Sequence, residues 1–308
     1  MVVTLRALGL GDLLAAVPAL RAVRAAYPGE RHVLAAPAAL EPLALLSGAV
    51  DAVADTAPLA ALDDALRGAG ALVNLHGRGP QSHRVALAAE PARLIAFAHP
   101  EVPETDGAPA WRADEHERER WCRLLRESGI PADAGDLRLE APAAPPPPPA
   151  VGATVIHPGA AAPSRRWPAE RFAAVARAER AAGRPVVVTG SAAEAPLARA
   201  VAEQAGLPGE AVLAGATDLL GLAATVAAAG RVVSGDTGVA HLAVAFGTPS
   251  LTLFGPVPPD EWGPPRTPDG RHRVLWRGRR GDPHAERVDP GLYAIEVPEA
   301  LEELSRAS

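Results

Sequence analysis

Short aliphatic segments alternate with longer segments of helical composition along most of this chain. The short segments have the length and apolar content of buried strands, and the longer ones carry apolar residues at helical spacing. Such alternation predicts parallel sheets covered by helices on both faces, because parallel strands need a crossover connection. The predicted strands are 2–7, 32–36, 71–75, 93–98, 153–157, 185–189, 211–213, 231–234 and 250–254. The predicted helices are 12–27, 59–68, 112–128, 169–182, 192–205, 218–229 and one from about 237.

Five consecutive prolines, Pro145 to Pro149, interrupt the alternation near the middle of the chain. A run of this kind favours an extended polyproline conformation and is excluded from helices and central strands. We therefore predict two doubly wound, Rossmann-like α/β domains, 1–141 and 151–308, joined by a stiff linker at 142–150 and facing each other across a cleft. Ligands of such sheets bind beyond the carboxyl ends of the strands.

Composition excludes several classes of protein. A formal net charge of −6 and a pI near 5.9 argue against a nucleic-acid-binding surface, which usually carries a basic patch. Cys122 is the single cysteine, so neither an internal disulfide nor a cysteine metal cluster is expected, and we predict that it packs in a helix. Arg6 and Asp12 interrupt the N-terminal apolar segment, which does not resemble a signal peptide, and we expect a cytoplasmic protein.

The segment from Ser234 to Ala243 carries the strongest functional signal. A predicted buried strand ends there in a small, polar turn that leads directly into an apolar helix. The first N–H groups of that helix would point to the carboxyl edge of the sheet and form an anion site. Asp236, Thr237 and His241 add side chains that can bind a phosphate or a sugar. The alternative is a simple helix cap with His241 as a core histidine.

A second predicted strand leads into His157-Pro158-Gly159-Ala160 and then Ser164-Arg165-Arg166-Trp167. Two arginines in a strand-to-helix loop suit a diphosphate, because guanidinium binds phosphate oxygens with two parallel hydrogen bonds. Solvated arginines in an exposed loop are the alternative. We interpret Trp167 as a structural anchor.

Two further loops follow predicted strands. Gly190 and Glu194 come after the strand at 185–189, where a carboxylate can bind ribose hydroxyls or simply favour the helix N-terminus. Gly9, Gly11 and Asp12 join the first strand to the first helix, where Asp12 is either an N-cap or a functional carboxylate. A full dinucleotide fingerprint is missing, so a Rossmann cofactor site is not indicated.

Taken together, these motifs resemble bacterial heptosyltransferases of glycosyltransferase family 9. The resemblance rests on Gly11-Asp12 with Pro18, His157-Pro158-Gly159-Ala160 with Arg166-Trp167-Pro168, and Asp236-Thr237-Gly238-Val239-Ala240-His241. Gly247-Thr248-Pro249 and Leu253-Phe254-Gly255-Pro256 extend it. The family implies a GT-B fold and inverting, metal-independent sugar transfer from a nucleotide donor, either ADP-heptose or a related nucleotide sugar. No metal and no cofactor are expected, in agreement with the missing Asp-x-Asp triplet.

The resemblance also implies residue roles. Asp12 would be the general base that takes the acceptor proton, with Gly9 and Gly11 in the acceptor-side loop of the first domain. Thr237 and Gly238 would contact the donor diphosphate, and Asp236 the donor sugar. The remaining donor-side residues implied for the second domain are His157, Gly159, Ser164, Arg165, Arg166, Gly190, Glu194 and His241. A last amphipathic helix at about 298–306 would pack back on the first domain.

Several points stay open in the sequence. Family members usually carry lysine where this chain has Arg165, which preserves the charge but not the compact ammonium. A GT-B nucleotide-sugar epimerase and a non-catalytic nucleotide-sugar-binding protein are the alternative functions. The acceptor is a glycan, a glycolipid or a small molecule, with at most peripheral membrane contact. The segment from Pro264 to Asp289 is either a loop near a substrate or a variable connection.

Overall fold

The computed structural model describes residues 1–307. These residues form two compact units, Met1–Leu137 and a second one that begins at Arg138. The proline-rich segment lies in the second unit and ends in a short 3₁₀ turn at Pro148–Ala150. Chain upstream of the prolines already packs there, since the Leu139 N–H donates to the Ala245 carbonyl at 2.9 Å.

The first unit is a five-stranded parallel sheet with helices between its strands. The strand order is β3-β2-β1-β4-β5. The strands are β1 (Val2–Leu5), β2 (His32–Ala36), β3 (Ala52–Asp55), β4 (Ala71–Asn74) and β5 (Leu94–Ile95). The helices are α1 (Leu10–Ala26), α2 (Glu41–Leu46), α3 (Gln81–Ala88) and α4 (Glu117–Glu127). Because β1 lies at the centre, the loop that follows it reaches the middle of the sheet edge.

Two predictions for the first unit were wrong in detail, and three of its elements were missed. The predicted helix at 59–68 is one 3₁₀ turn at Asp64–Leu66, because Leu59 has φ +57° and the Asp63 side chain caps only that turn. The predicted strand at 93–98 pairs only at Leu94–Ile95. Strand β3 and helices α2 and α3 were missed. Strand β3 lacks the buried apolar residues of a central strand because it lies at the sheet edge.

The second unit repeats the architecture, with the strand order β10-β9-β8-β6-β7. Its strands are β6 (Thr154–His157), β7 (Val186–Val188), β8 (Arg231–Gly235), β9 (Ser250–Leu253) and β10 (His272–Leu275), all parallel. Its helices are α5 (Ala169–Ala181), α6 (Ala195–Ala205), α7 (Leu219–Ala228), α8 (Gly238–Phe246), α9 (Pro259–Trp262), α10 (Pro290–Tyr293) and α11 (Val297–Arg306). The predicted α/β class with two doubly wound parallel sheets is confirmed.

Strand β10 corrects the interpretation of 264–289 as a loop or a variable connection. It lies at the sheet edge, and its side chains are only partly buried, so its sequence lacks an apolar signal. The predicted strand at 211–213 is a single bridge between Val188 and Val212. Helix α11 forms as expected and buries Ala300 and Leu304 in the core of the second unit. Its predicted contact with the first domain stays a prediction.

Two packing predictions are confirmed. Cys122 is buried in α4, and burial raises the pKa of its thiol to about 12. Trp167 is buried, donates its indole N–H to the Ile295 carbonyl at 3.0 Å, and meets Phe172 edge to face. Within residues 1–307, every helix is too short or too polar to serve as a membrane span.

Candidate active site

In the second unit, the predicted donor residues lie at the carboxyl edge of one sheet. Strand β6 lies between β7 and β8 in the sheet. The chain therefore runs from β6 to its neighbour on one side, β7, and returns to the other side of β6 with β8. The crevice between such diverging strands is the usual ligand position in doubly wound sheets. His157, the last residue of β6, is the register partner of Ser234, the penultimate residue of β8. The loops after β6 and β8 therefore start side by side.

The turn after β8 places Thr237 at the N-cap of the nine-residue helix α8 and Gly238 in its first position. Two hydroxyl oxygens at this turn, Ser234 Oγ and Thr237 Oγ1, are buried and have no hydrogen-bond partner in the described chain. The first N–H groups of a helix also lack partners inside the helix. Several hydrogen-bond donors without partners are thus found at this turn, next to the positive end of α8.

Arg165 brings a guanidinium to the same turn. Its Nη1 lies 3.4 Å from the Asp236 carbonyl oxygen and 3.9 Å from Asp236 Oδ2. Its Nε is a further buried atom without a partner. The Arg165 carbonyl lies so close to Gly235 that an added Cβ would come within 2.9 Å of its oxygen. Glycine at 235 therefore allows the two loops to touch.

Glu194 and His157 form the other side of this edge. Glu194 Oε2 accepts from the Ser191 N–H at 2.8 Å and from the Ser191 hydroxyl at 2.9 Å. Burial opposes ionisation of Glu194, but these bonds and the charge of Arg166 hold its pKa below the ordinary value. The other oxygen, Oε1, occupies the space where a Cβ on Gly159 would lie, at 2.1 Å. Glu194 is thus both a helix cap and a carboxylate facing the loop after β6.

The His157 ring is buried at the end of β6 and contacts Thr189. Its Nδ1 lies 3.0 Å from the Thr189 hydroxyl oxygen. Burial lowers the pKa of His157 to about 4, although the Glu194 carboxylate acts in the opposite direction. His157 is therefore neutral near pH 7 and supports the loop as a hydrogen-bonding group. Gly190 packs against Glu194. A Cβ added at this glycine would make a tight contact of 3.2 Å with Glu194 Cβ.

Arg166 and Ser164 donate hydrogen bonds to backbone carbonyls and so stabilise the conformation of the loop after β6. The Arg166 Nε donates to the Ala160 carbonyl at 2.9 Å, and the charge of the guanidinium lowers the pKa of Glu194. Ser164 is fully buried and donates its hydroxyl to the Pro283 carbonyl at 2.8 Å. The structure therefore gives Ser164 a structural contact with the segment after β10.

His241 lies one turn into α8, and its ring meets Trp262 of α9 edge to face at 5.9 Å. Trp262 was not among the predicted site residues. Its only sequence signal is an aromatic residue shortly after the carboxyl end of a strand.

In the first unit, Asp12 lies in the first turn of α1, directly after β1. Its Oδ2 accepts from the Gly9 N–H at 3.2 Å, and its Oδ1 from Arg6 Nη2 at 3.1 Å. The side chain stays 28% exposed, so a substrate can reach it. Gly9 is the N-cap and Gly11 the second residue of the helix.

Arg6 was missed as a functional residue, although it directly follows β1. It is 1% exposed and donates to the Asp12 and Leu75 carbonyls as well as to the Asp12 carboxylate. It also donates to Glu117 Oε1 at 2.9 Å. Burial opposes ionisation of Glu117, but the charges of Arg6 and Arg120 outweigh it and lower the pKa. A buried ion pair therefore fixes the backbone and carboxylate of Asp12.

His76 was missed as well. It follows β4, which pairs with β1, so the loop that carries it emerges beside the loop that carries Asp12. Its Nδ1 accepts the Ala7 N–H at 3.2 Å, and its own N–H donates to the Asn74 side-chain oxygen at 3.0 Å. A polar residue at the carboxyl end of a central strand was the available signal.

Solved structures with the same fold cover nearly the whole chain. An Escherichia coli ADP-heptose lipopolysaccharide heptosyltransferase II aligns with a TM-score of 0.77 at 22% identity, over 99% of this chain and 98% of that one. A family 9 glycosyltransferase from Veillonella parvula aligns at 0.78 and 20% identity, over 99% and 96%. The E. coli heptosyltransferase WaaC with ADP aligns at 0.73 and 19% identity, over 100% and 99%. The fold is therefore that of the GT-B glycosyltransferases.

Sequence comparison narrows the class. The model of glycosyltransferase family 9 (heptosyltransferase) matches residues 109–284, more than half of the chain. The chain belongs to this family. Lipopolysaccharide heptosyltransferase 2 from E. coli is 32% identical over 154 residues, and the Salmonella typhimurium protein is 32% identical over 153. Each match covers 46% of this chain and 42% of the relative, less than half the length of these curated proteins.

Proposed function

We propose that the protein transfers a heptose or related sugar from an ADP-linked donor to a hydroxyl of a glycan or glycolipid acceptor. The reaction inverts the anomeric centre and needs no metal ion. The second domain binds the nucleotide sugar, and the first domain, which carries Asp12, binds the acceptor. The protein acts in the cytoplasm, with at most peripheral membrane contact.

One observation carries the donor assignment. Three buried polar atoms without partners, Ser234 Oγ, Thr237 Oγ1 and Arg165 Nε, occur around a single turn at the carboxyl edge of the sheet. Unpartnered buried polar atoms are rare in proteins, because each costs about 1–3 kcal/mol. A diphosphate would supply acceptor oxygens to these donors after small rotations of the hydroxyls.

The same turn supplies the charge that the leaving group needs. When the bond from the anomeric carbon to the diphosphate oxygen breaks, negative charge develops on the departing ADP. The N-terminus of α8 at Thr237 and Gly238 stabilises it, together with the Arg165 guanidinium. Arg166 and the Glu194 carboxylate lie where the nucleoside would be bound, with Glu194 as acceptor for ribose hydroxyls. Asp236 contacts the donor sugar, and His157 and His241 support the site.

Asp12 performs the acceptor chemistry. Its carboxylate takes the proton from the acceptor hydroxyl while that oxygen forms a bond to the anomeric carbon. A single displacement of this kind inverts the configuration of that carbon. The hydrogen bonds from Gly9 and Arg6 keep the carboxylate oriented, since each of its oxygens has one fixed donor.

The test is calorimetric titration of the protein with ADP, UDP, GDP, dTDP and ADP-heptose, without added metal. The proposal expects selective binding of ADP and its heptose sugar. Preference for another base would reassign the donor, and absence of nucleotide binding would refute the proposal. Product analysis with ADP-heptose separates transfer from epimerisation, because an epimerase would change the donor without any acceptor.

A matched pair of threonine variants sharpens this test. Thr237→Val removes the unpartnered hydroxyl at the α8 N-cap and keeps the shape of the side chain. Thr225→Val makes the same side-chain replacement in α7, where the hydroxyl has a partner: it donates to the Gly221 carbonyl at 2.8 Å. We expect about tenfold weaker ADP binding for the first variant, the value of one hydrogen bond, and no change for the second.

A further inference from the structure

His76 and Asp12 follow two neighbouring strands of the first sheet. Strands β1 and β4 are neighbours, and Leu5 pairs with Asn74 at their carboxyl ends. Asp12 follows the first strand and His76 the second. The charges of Arg6 and Asp12 both act on the imidazole. His76 therefore shares one sheet edge with the proposed base.

One hydrogen bond holds the imidazole itself, and a second one holds the backbone of His76. The Ala7 N–H donates to Nδ1, and the His76 N–H donates to Asn74 Oδ1. Asn74 is itself fixed, because its amide nitrogen lies 3.0 Å from the Ser82 hydroxyl and 3.2 Å from His83 Nδ1. The ring is thus positioned by the fold rather than by solvent.

The second ring nitrogen, Nε2, has no hydrogen-bond partner among residues 1–307, and the residue is half-buried. Since Nδ1 accepts a hydrogen bond, the proton of the neutral ring lies on Nε2. Burial lowers the pKa of His76, and the Arg6 charge lowers it further, against the effect of Asp12. A neutral imidazole with an available Nε2–H donor results.

We propose that His76 is a further acceptor-binding residue, whose Nε2–H donates to an oxygen of the acceptor sugar next to the attacking hydroxyl. A polyhydroxylated acceptor offers such an oxygen on the carbon beside the reacting one. The hydrogen bond would orient the sugar so that its nucleophilic hydroxyl faces Asp12. This role rests on the proposed glycosyl transfer.

The test compares two replacements that each keep one half of the ring's hydrogen bonding. In His76→Gln the amide nitrogen reaches the former position of Nε2, so the donor to the acceptor is retained. In His76→Asn the shorter side chain can still accept the Ala7 N–H, but it has no donor at the Nε2 position. Transfer from ADP-heptose to O-deacylated, heptose-terminated core oligosaccharide is the assay.

We expect His76→Asn to raise the KM for the oligosaccharide about tenfold, with the KM for ADP-heptose and the unfolding temperature unchanged. His76→Gln recovers most of the acceptor affinity. Equal effects of the two variants, the reverse order, or a change in the KM for the donor would overturn the proposal. His99→Asn and His99→Gln are matched controls, because His99 Nδ1 also accepts a backbone N–H, from Glu101 at 3.2 Å.

A second measurement separates failure of this inference from failure of the proposed function. Absence of turnover by the unmutated protein would count against the function. Nitrogen-15 NMR of the histidine side chains, assigned with His76→Gln, reports the protonated ring nitrogen without any turnover. A neutral Nε2–H form at pH 7 supports the proposal, whereas an Nδ1–H form or an imidazolium would overturn it.

Discussion

Asp12 Oδ1 lies 3.1 Å from Nη2 of Arg6, and Arg6 is almost completely buried whereas Asp12 is partly exposed. One end of this ion pair is thus anchored in the core of the first unit, and the other end is accessible. Arg6 also binds the Asp12 carbonyl at 2.7 Å, so both the backbone and the side chain of the proposed base depend on one guanidinium.

Replacement of Asp12 by Asn is expected to abolish most transfer, by about 100-fold or more, because the amide cannot accept the hydroxyl proton. Donor affinity should stay close to that of the unmutated protein. Steady-state kinetics and ADP calorimetry measure the two effects. Undiminished turnover would contradict the assignment of Asp12 as the base.

Replacement of Arg6 by Met is expected to lower the free energy of unfolding by about 3–5 kcal/mol, since it removes a partner of a buried carboxylate. Glu117 would keep Arg120 at Oε2 and the Trp121 indole N–H at Oε1, but it would lose the charge of Arg6. Arg67→Met is the surface control, because Arg67 and Glu90 are largely exposed, and it should cost below about 1 kcal/mol. Urea unfolding of both variants gives the comparison, and equal losses would refute the structural role.

Arg165→Ala is expected to weaken binding of ADP more than binding of adenosine, because the guanidinium serves the diphosphate. Loss of a charge-assisted hydrogen bond corresponds to about tenfold or more in affinity. Calorimetry with the two ligands measures the difference. If both ligands lose affinity equally, Arg165 does not contact the diphosphate.

Gly159→Ala is expected to weaken ADP binding, since the new methyl group would lie 2.1 Å from Glu194 Oε1 and displace the carboxylate. Gly209→Ala is the matched control, because its Cβ would meet nothing within 4 Å. We expect loss of affinity only for the first variant. Unchanged binding by Gly159→Ala would show that the nucleoside does not need Glu194 in this position.

Acidification below about pH 6.5 is expected to destabilise the protein through His32. Burial lowers the pKa of His32 to about 4, although its bond to the Ala49 carbonyl opposes this. Between these values the unfolded chain binds the proton and the folded chain does not, so stability falls as the pH falls. The contribution is about 2 kcal/mol at pH 5.

Urea unfolding at pH 7 and pH 5 measures this effect, and His32→Asn should show a shallower pH dependence. His157 and His272 also have their pKa lowered to about 4, chiefly by burial, and act in the same direction. Some slope therefore remains in the variant. An unchanged slope would mean that His32 does not contribute.

The alternation of apolar and helical segments was enough to predict two parallel α/β sheets, because buried central strands leave a continuous apolar signal. It failed for β3 and β10, whose edge positions leave their side chains partly exposed. The loops after β1, β6, β7 and β8 were recognised from glycines and charges at strand ends. Arg6 was missed because its role depends on Glu117, which is 111 residues away in the chain.

The segment between β9 and α11 is tied to the last helix by two ion pairs, Arg273 with Glu303 and Arg277 with Glu299. Arg273 lies in β10, so this strand is held both by its neighbour β9 and by α11. Insertions and deletions among related sequences are therefore expected at 264–270, but not within His272–Leu275 or at Pro283, whose carbonyl accepts a hydrogen bond from Ser164. A recombinant chain that ends before Val297 would lose the carboxylates of Glu299 and Glu303. It would also expose to solvent the part of the second unit's core against which Leu304 packs.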